Sequence, residues 1–133
     1  MILVDTNVLV DVTTENAQWA DWSADQLARA IDSHGVAINK LIFAEFSLPY
    51  LHERDADRAL ASLTAVRLDM PWSAAFLAGK ALALYQSRGG ARSAPLPDFF
   101  IGAHASVSGL TLLTRDATRY REYFPKLKLI APK

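Results

Sequence analysis

Five short apolar runs punctuate the chain, and helical spacing fills most of the gaps between them. Residues 1–5 read Met-Ile-Leu-Val-Asp, an apolar run closed by an acid. A run without polar alternation predicts a strand buried on both faces, the usual case in a parallel sheet. Val36–Ile38 is a second such run, residues 67–70 a short third, residues 110–114 (Leu-Thr-Leu-Leu-Thr) a fourth and residues 127–130 the last. Residues 15–34 carry Trp19, Trp22, Leu27, Ala30 and Ile31 at helical spacing, and Gly35 is a stop signal. Residues 41–48 predict a short helix that carries Glu45 and breaks at Pro49. Residues 53–66 place Ala59, Leu60, Leu63 and Val66 on one helical face. Residues 74–87, rich in Ala and Leu, predict a helix capped by Ser73. Residues 88–95 are the clear loop, Arg-Gly-Gly-Ala-Arg-Ser-Ala-Pro. Leu96-Pro97-Asp98 then opens a helix that runs to Ser108 and ends at Gly109. Strands alternating with helices predict an α/β three-layer sandwich. Its central sheet is mostly parallel, with four to five strands, and right-handed crossovers put helices on both faces.

Composition narrows the class. A length of 133 residues fits a single domain, and 51% hydrophobic against 21% charged residues is a globular balance that excludes intrinsic disorder. The absence of cysteine excludes a disulfide framework, thiolate metal sites and cysteine nucleophiles. No apolar run approaches the ~20 residues of a membrane span, and no basic segment precedes the first apolar stretch, as a signal peptide would require. A cytoplasmic protein without membrane contact is expected. The net charge of zero hides an asymmetry. Residues 1–79 hold 5 Lys/Arg against 11 Asp/Glu, and residues 80–133 hold 9 against 3, balances of −6 and +6. The second part could offer a basic face to a polyanion. The overall pI near 6.8 argues against a general nucleic-acid coat.

Four acids stand where an open α/β sheet binds its ligands, beyond the carboxyl ends of its strands. Asp5 closes the first strand, Asp116 follows the fourth, Glu45 rides the helix after the second, and Asp98 begins the helix after the loop. Singly, Asp98 also reads as a first-turn helix acid, Asp116 as a turn acid and Glu45 as a solvent-facing residue. Asp5, wedged between two apolar runs, is poor core design without a task. Together, four carboxylates in one cleft repel strongly, and a divalent cation removes that repulsion. Oxygen-only ligands favour Mg²⁺, with Mn²⁺ as a substitute, over Zn²⁺. Thr6, Asn7 and Thr114 are the polar neighbours able to orient ligands or water.

The segments Val4-Asp5-Thr6-Asn7-Val8-Leu9, Phe43-Ala44-Glu45-Phe46, Leu96-Pro97-Asp98-Phe99-Phe100-Ile101-Gly102-Ala103-His104-Ala105 and Leu112-Leu113-Thr114-Arg115-Asp116 resemble, in order and spacing, the PIN-domain ribonucleases. The resemblance is strongest to the VapC-type toxins of toxin–antitoxin pairs and covers essentially the whole chain. It implies a PIN-like fold and a metal-dependent endoribonuclease acting on RNA. It implies metal-holding, catalytic acids at Asp5, Glu45, Asp98 and Asp116, with supporting roles for Asn7 and Thr114. It also implies a cognate antitoxin that lays a peptide along the acidic groove. A homodimer is a further expectation. Residues 48–93 carry no shared motif, so the choice of RNA and of antitoxin is not carried over.

Other residues weigh less. His34, His52 and His104 are scattered and read as core or surface histidines. Trp19 and Trp22 read as core or dimer packing rather than base stacking. Arg88 and Arg92 flank the glycine pair before Asp98. They are either solvated loop charges or a phosphate grip, and Arg115 could pair with a carboxylate or an RNA phosphate. A haloacid-dehalogenase-like phosphotransferase with Asp5 as nucleophile lacks its second Asp, since Asn7 stands there. A stand-alone PIN nuclease of RNA maturation and a non-catalytic RNA-binding module on the same scaffold are the remaining alternatives.

Overall fold

A computed structural model describes residues 1–90 and 96–133. Five strands form one sheet: β1 (Ile2–Val4), β2 (Val36–Ile38), β3 (Val66–Arg67), β4 (Thr111–Leu113) and β5 (Leu129–Ile130), in the order β3-β2-β1-β4-β5. Every neighbouring pair is parallel. At the centre, Leu3 of β1 aligns with Ala37 of β2 on one side and with Leu112 of β4 on the other. All residues of β1 and β2 are buried. Both faces of the sheet centre are therefore covered, as the unbroken apolar runs predict. The edge strands β3 and β5 are two residues each, which leaves little open edge for unwanted pairing.

Among the described residues seven helices connect and cover the strands: α1 (Thr6–Thr13), α2 (Ala20–Ser33), α3 (Lys40–Phe46), α4 (Glu53–Ala61), α5 (Trp72–Ser87), α6 (Leu96–Ser108) and α7 (Thr118–Tyr123). The chain steps outward from β1 to β2 to β3, then returns past β1 to β4 and steps outward again to β5. Right-handed crossovers in opposite directions place helices on opposite faces. The reversal falls between β1 and β4, and there the loops beyond the strand ends part to leave a crevice. Asp5 and Asp116 are the acids at those two ends. None of the helices is long and apolar enough to cross a membrane, among the described residues.

The structure corrects several boundaries. The apolar run after Asp5 is a helix, α1, which the β-branched Val8, Val10 and Val12 disguise. Asp5 has extended backbone and its side chain accepts from Thr6 N at 2.8 Å, so the strand-ending acid also caps the helix. The next helix starts at Ala20 rather than at residue 15, because Glu15 has a φ of 53°. The helix expected over 53–66 stops at Ala61, and Thr64, with a φ of 50°, turns the chain into β3. The third strand is Val66–Arg67 rather than 67–70, though Leu68 N still donates to Ile38 O at 2.9 Å. Ser73 does not cap α5, which begins two residues earlier, at Trp72, with Pro71 at its N-cap position. The last strand keeps only Leu129–Ile130 of residues 127–130. Helix α7 has six residues, too few for helical spacing to reveal.

Helix α6 is the buried spine of the second half, with Phe99 and residues 101–105 buried. It packs chiefly on α5, and Phe99 meets Tyr85 and Tyr123 edge-on. Gly102 lets α7 approach. A Cβ there would stand 2.6 Å from the Phe124 ring and 3.0 Å from Tyr120, so only glycine leaves Tyr120 its place beside β1. His104 is buried, as a core histidine should be. Asn39 Oδ1 caps α3 by accepting from Ile42 N, which turns Asn39 Nδ2 toward His104 Nδ1 at 3.0 Å. His104 Nδ1 then accepts, so the ring is neutral, and burial lowers its pKa in keeping with that. This bond ties the helix bearing Glu45 to the helix bearing Asp98.

Candidate active site

The four acids separated by up to 111 positions in sequence line one crevice of about 290 Å³, together with Thr6, Asn7, Val10, Arg115 and Tyr120. Asp5 lies deepest, with 4% of its surface exposed. Its Oδ1 accepts from Thr6 N. Its Oδ2 accepts from Thr114 Oγ1 at 2.8 Å, from Tyr120 Oη at 2.9 Å and, more weakly, from Asn7 Nδ2 at 3.5 Å. Burial pushes the Asp5 carboxyl up to about 6; the Thr114 hydroxyl opposes this, and the neighbouring Asp98 charge adds to it. Glu45 accepts from Thr6 Oγ1 at 2.8 Å, so Thr6 bridges two of the acids with its backbone and its side chain. Burial raises Glu45 above the usual carboxylate range as well, again with a contribution from Asp98.

Asp98 sits in the first turn of α6. Its Oδ2 takes Arg119 Nη1 at 3.0 Å. Burial raises its pKa, Arg119 holds it back and Asp116 adds to the rise. Asp116 is exposed at the rim, where its Oδ1 accepts from Thr118 N at 3.4 Å. The polar neighbours stand close to the acids. Besides its bond to Asp5, Thr114 Oγ1 accepts from Asn7 Nδ2 at 3.3 Å and from Asp116 N at 3.2 Å. Asn7 Oδ1 accepts from Arg115 N at 3.2 Å. Thr6, Asn7 and Thr114 thus knit the ends of β1 and β4 into one framework.

The arginines separate. Arg115 lines the crevice and pairs with the buried Asp11. Arg88 does not line it. Its Nη1 reaches Glu122 at 3.2 Å, and its guanidinium lies 5.4 Å from the Tyr123 ring centre. Arg92 lies outside the described residues. Trp19 and Trp22 meet edge-on at 6.1 Å. Two groups escape sequence reasoning. Tyr120 comes from a helix too short to show in the pattern and donates to an acid 115 positions away. Asp11 had a visible signal, a lone acid inside the apolar run of α1.

The donor set suits a hard divalent cation, since carboxylate and hydroxyl oxygens surround the crevice, and burial, with a smaller contribution from neighbouring carboxylates, raises Asp5, Glu45 and Asp98. Among the described residues no three acids or histidines stand close enough to form a complete cage. Mg²⁺ does not require one. It keeps several waters and binds through one or two carboxylates plus substrate phosphate.

A family model described as PIN domain matches residues 2–123. No curated protein sequence matches the chain. Among solved structures, VapBC2 from Rickettsia felis, bound to a DNA fragment from its promoter, superposes with a TM-score of 0.75 at 19% identity, covering 100% of both chains. FitAcB from Neisseria gonorrhoeae gives 0.70 at 20% identity over 98% of this chain and 96% of that one. VapBC-1 from nontypeable Haemophilus influenzae gives 0.72 at 17% identity over 98% of each. Identities this low speak for a shared fold.

Proposed function

The chain belongs to the PIN domain family, and from that premise we propose that it is a Mg²⁺- or Mn²⁺-dependent endoribonuclease, the toxin of a toxin–antitoxin pair. The observation that carries the reading is the convergence of Asp5, Glu45, Asp98 and Asp116 on one crevice at the switch point of the sheet. The toxin assignment follows structural neighbours such as the toxin–antitoxin complex from Klebsiella pneumoniae. A cognate antitoxin is the partner this implies.

Asp5 and Asp98 would hold the ion, with Glu45 and Asp116 flanking. A bound divalent ion supplies Lewis-acid polarisation of a phosphoryl oxygen and offsets the charge that builds on the phosphodiester. The chain's own contribution is preorganisation. Thr6 N, Thr114 and Tyr120 fix both oxygens of Asp5 before substrate arrives. Thr6 Oγ1 holds Glu45 Oε1, leaving Oε2 to accept a proton from a water attacking phosphorus.

The purified protein is expected to cleave single-stranded RNA with Mg²⁺ or Mn²⁺, to stop in EDTA and to recover on adding the ion back. Undiminished cleavage in chelator would overturn the metal-dependent reading. Tyr120→Phe removes one donor from Asp5 without changing the ring. It should lower the cleavage rate about 10- to 100-fold, the usual cost of losing a partner behind a metal ligand. Steady-state cleavage of one RNA by both proteins measures it.

A further inference from the structure

We propose that Arg115 is the phosphate-binding group of the crevice, and that the buried Asp11 is the positioning residue that aims it. The proposal rests on the nuclease reading above and adds to it how a site lined by four acids receives a polyanion.

Arg115 lines the crevice, whereas Arg119, the other cation at its edge, spends Nη1 on the crevice acid Asp98. Arg115 is 30% exposed, while the Asp11 side chain that receives it is 1% exposed. Arg115 Nε donates to Asp11 Oδ2 at 2.7 Å, and the same oxygen accepts from Ser23 Oγ at 2.8 Å. The guanidinium carbon lies 5.9 Å from the centre of the Trp19 ring. Arg115 N is fixed by Asn7 Oδ1. Only Nε is spent on Asp11. The terminal nitrogens Nη1 and Nη2 make no hydrogen bond among the described residues, and they are the pair that takes a phosphate end-on.

A purely structural clamp explains this arrangement poorly. A buried ion pair is weak evidence of stability, since taking two charges from water costs about what their attraction returns. This one is also incomplete, because Asp11 Oδ1 is buried without a hydrogen-bond partner among the described residues. Ser23 could hold α1 to α2 through a neutral residue equally well. What the carboxylate adds is direction: it freezes an otherwise flexible cation beside the acids, so its ordering cost is met at folding rather than on binding.

Binding of a fluorescein-labelled single-stranded RNA 15-mer at several salt concentrations tests this. The parent is full-length Asp98→Asn protein, which prevents cleavage. Adding Arg115→Ala should weaken binding about tenfold and reduce the slope of log affinity against log salt by about 0.7, one lost phosphate contact. Asp11→Asn makes the protein one charge more positive, so long-range attraction alone would tighten binding. Positioning demands the reverse, weaker binding with the slope unchanged. Arg115→Lys keeps the charge without the fork and should behave like Asp11→Asn, which covers the case in which Asp11→Asn does not fold. Unchanged affinity and slope in Arg115→Ala would overturn the proposal and leave the nuclease reading standing, as would tighter binding by Asp11→Asn or parent-like binding by Arg115→Lys. A parent that binds no RNA at all would overturn both.

Discussion

Asp98→Asn is expected to lose RNA cleavage by about 100- to 1,000-fold or more while remaining folded. Asparagine keeps the volume and the acceptor oxygen facing Arg119, so the first turn of α6 has no reason to move. What disappears is a charge in the crevice and, with it, one proposed ligand for the ion. The same charge raises both Asp5 and Glu45, so its removal relieves repulsion. The melting temperature in EDTA at neutral pH should therefore stay level or rise. Cleavage assays paired with melts of the same preparation separate lost chemistry from lost structure. Retention of near-normal cleavage would remove Asp98 from the machinery. Asp5→Asn should be as inactive, because the deepest acid loses its charge where four donors converge on it.

The second large effect is on stability. Asp5 titrates near 6 in the folded protein against 3.8 for the free side chain. Its folded form binds the proton more tightly than the unfolded chain does, so its contribution is fully present below about pH 4 and is lost as pH rises through 6. The difference corresponds to about 3 kcal/mol. Glu45 and Asp98 shift in the same direction and add to the decline. Metal-free protein should therefore lose stability between about pH 4 and pH 6–7. Mg²⁺ or Mn²⁺ at neutral pH should restore it by mass action, by about 2.7 kcal/mol at a hundredfold excess over the dissociation constant. Chemical denaturation in EDTA at unit pH steps reads the first part, and metal titration at pH 7 the second. A flat profile in wild type, or the same decline in Asp5→Asn, would show that Asp5 is not the source.

The arginines are placed by contacts that lie far apart in sequence. The sequence leaves Arg88 and Arg92 open between solvated loop charges and a phosphate grip, since the loop carrying them leads into Asp98. In the fold, Arg88 is drawn to Glu122 and Tyr123 of α7 instead, a helix whose six residues leave no periodic trace. Arg115 was legible only as an ambiguous cation beside Asp116. Its partner is 104 positions away, and no local rule connects them.

The sheet was the legible part. Apolar runs of three residues with no polar alternation can be satisfied only by burial on both faces, so Ile2, Leu3, Val4 and Val36–Ile38 determine a parallel sheet core by themselves. The same holds for Asp5, because an acid ending a buried strand has to face the crevice beyond it; Glu45 and Asp98 ride helices, and it is the fold that turns them to the same crevice. The tertiary structure decided the rest. Strand order put the switch point between β1 and β4, Gly102 admitted Tyr120 to Asp5, and the packing of α1 on α2 buried Asp11 beneath Arg115. Each depends on side chains distant in sequence meeting at hydrogen-bond range. Hydrophobic spacing reports which face of an element is buried, but it carries no information on what that face is buried against.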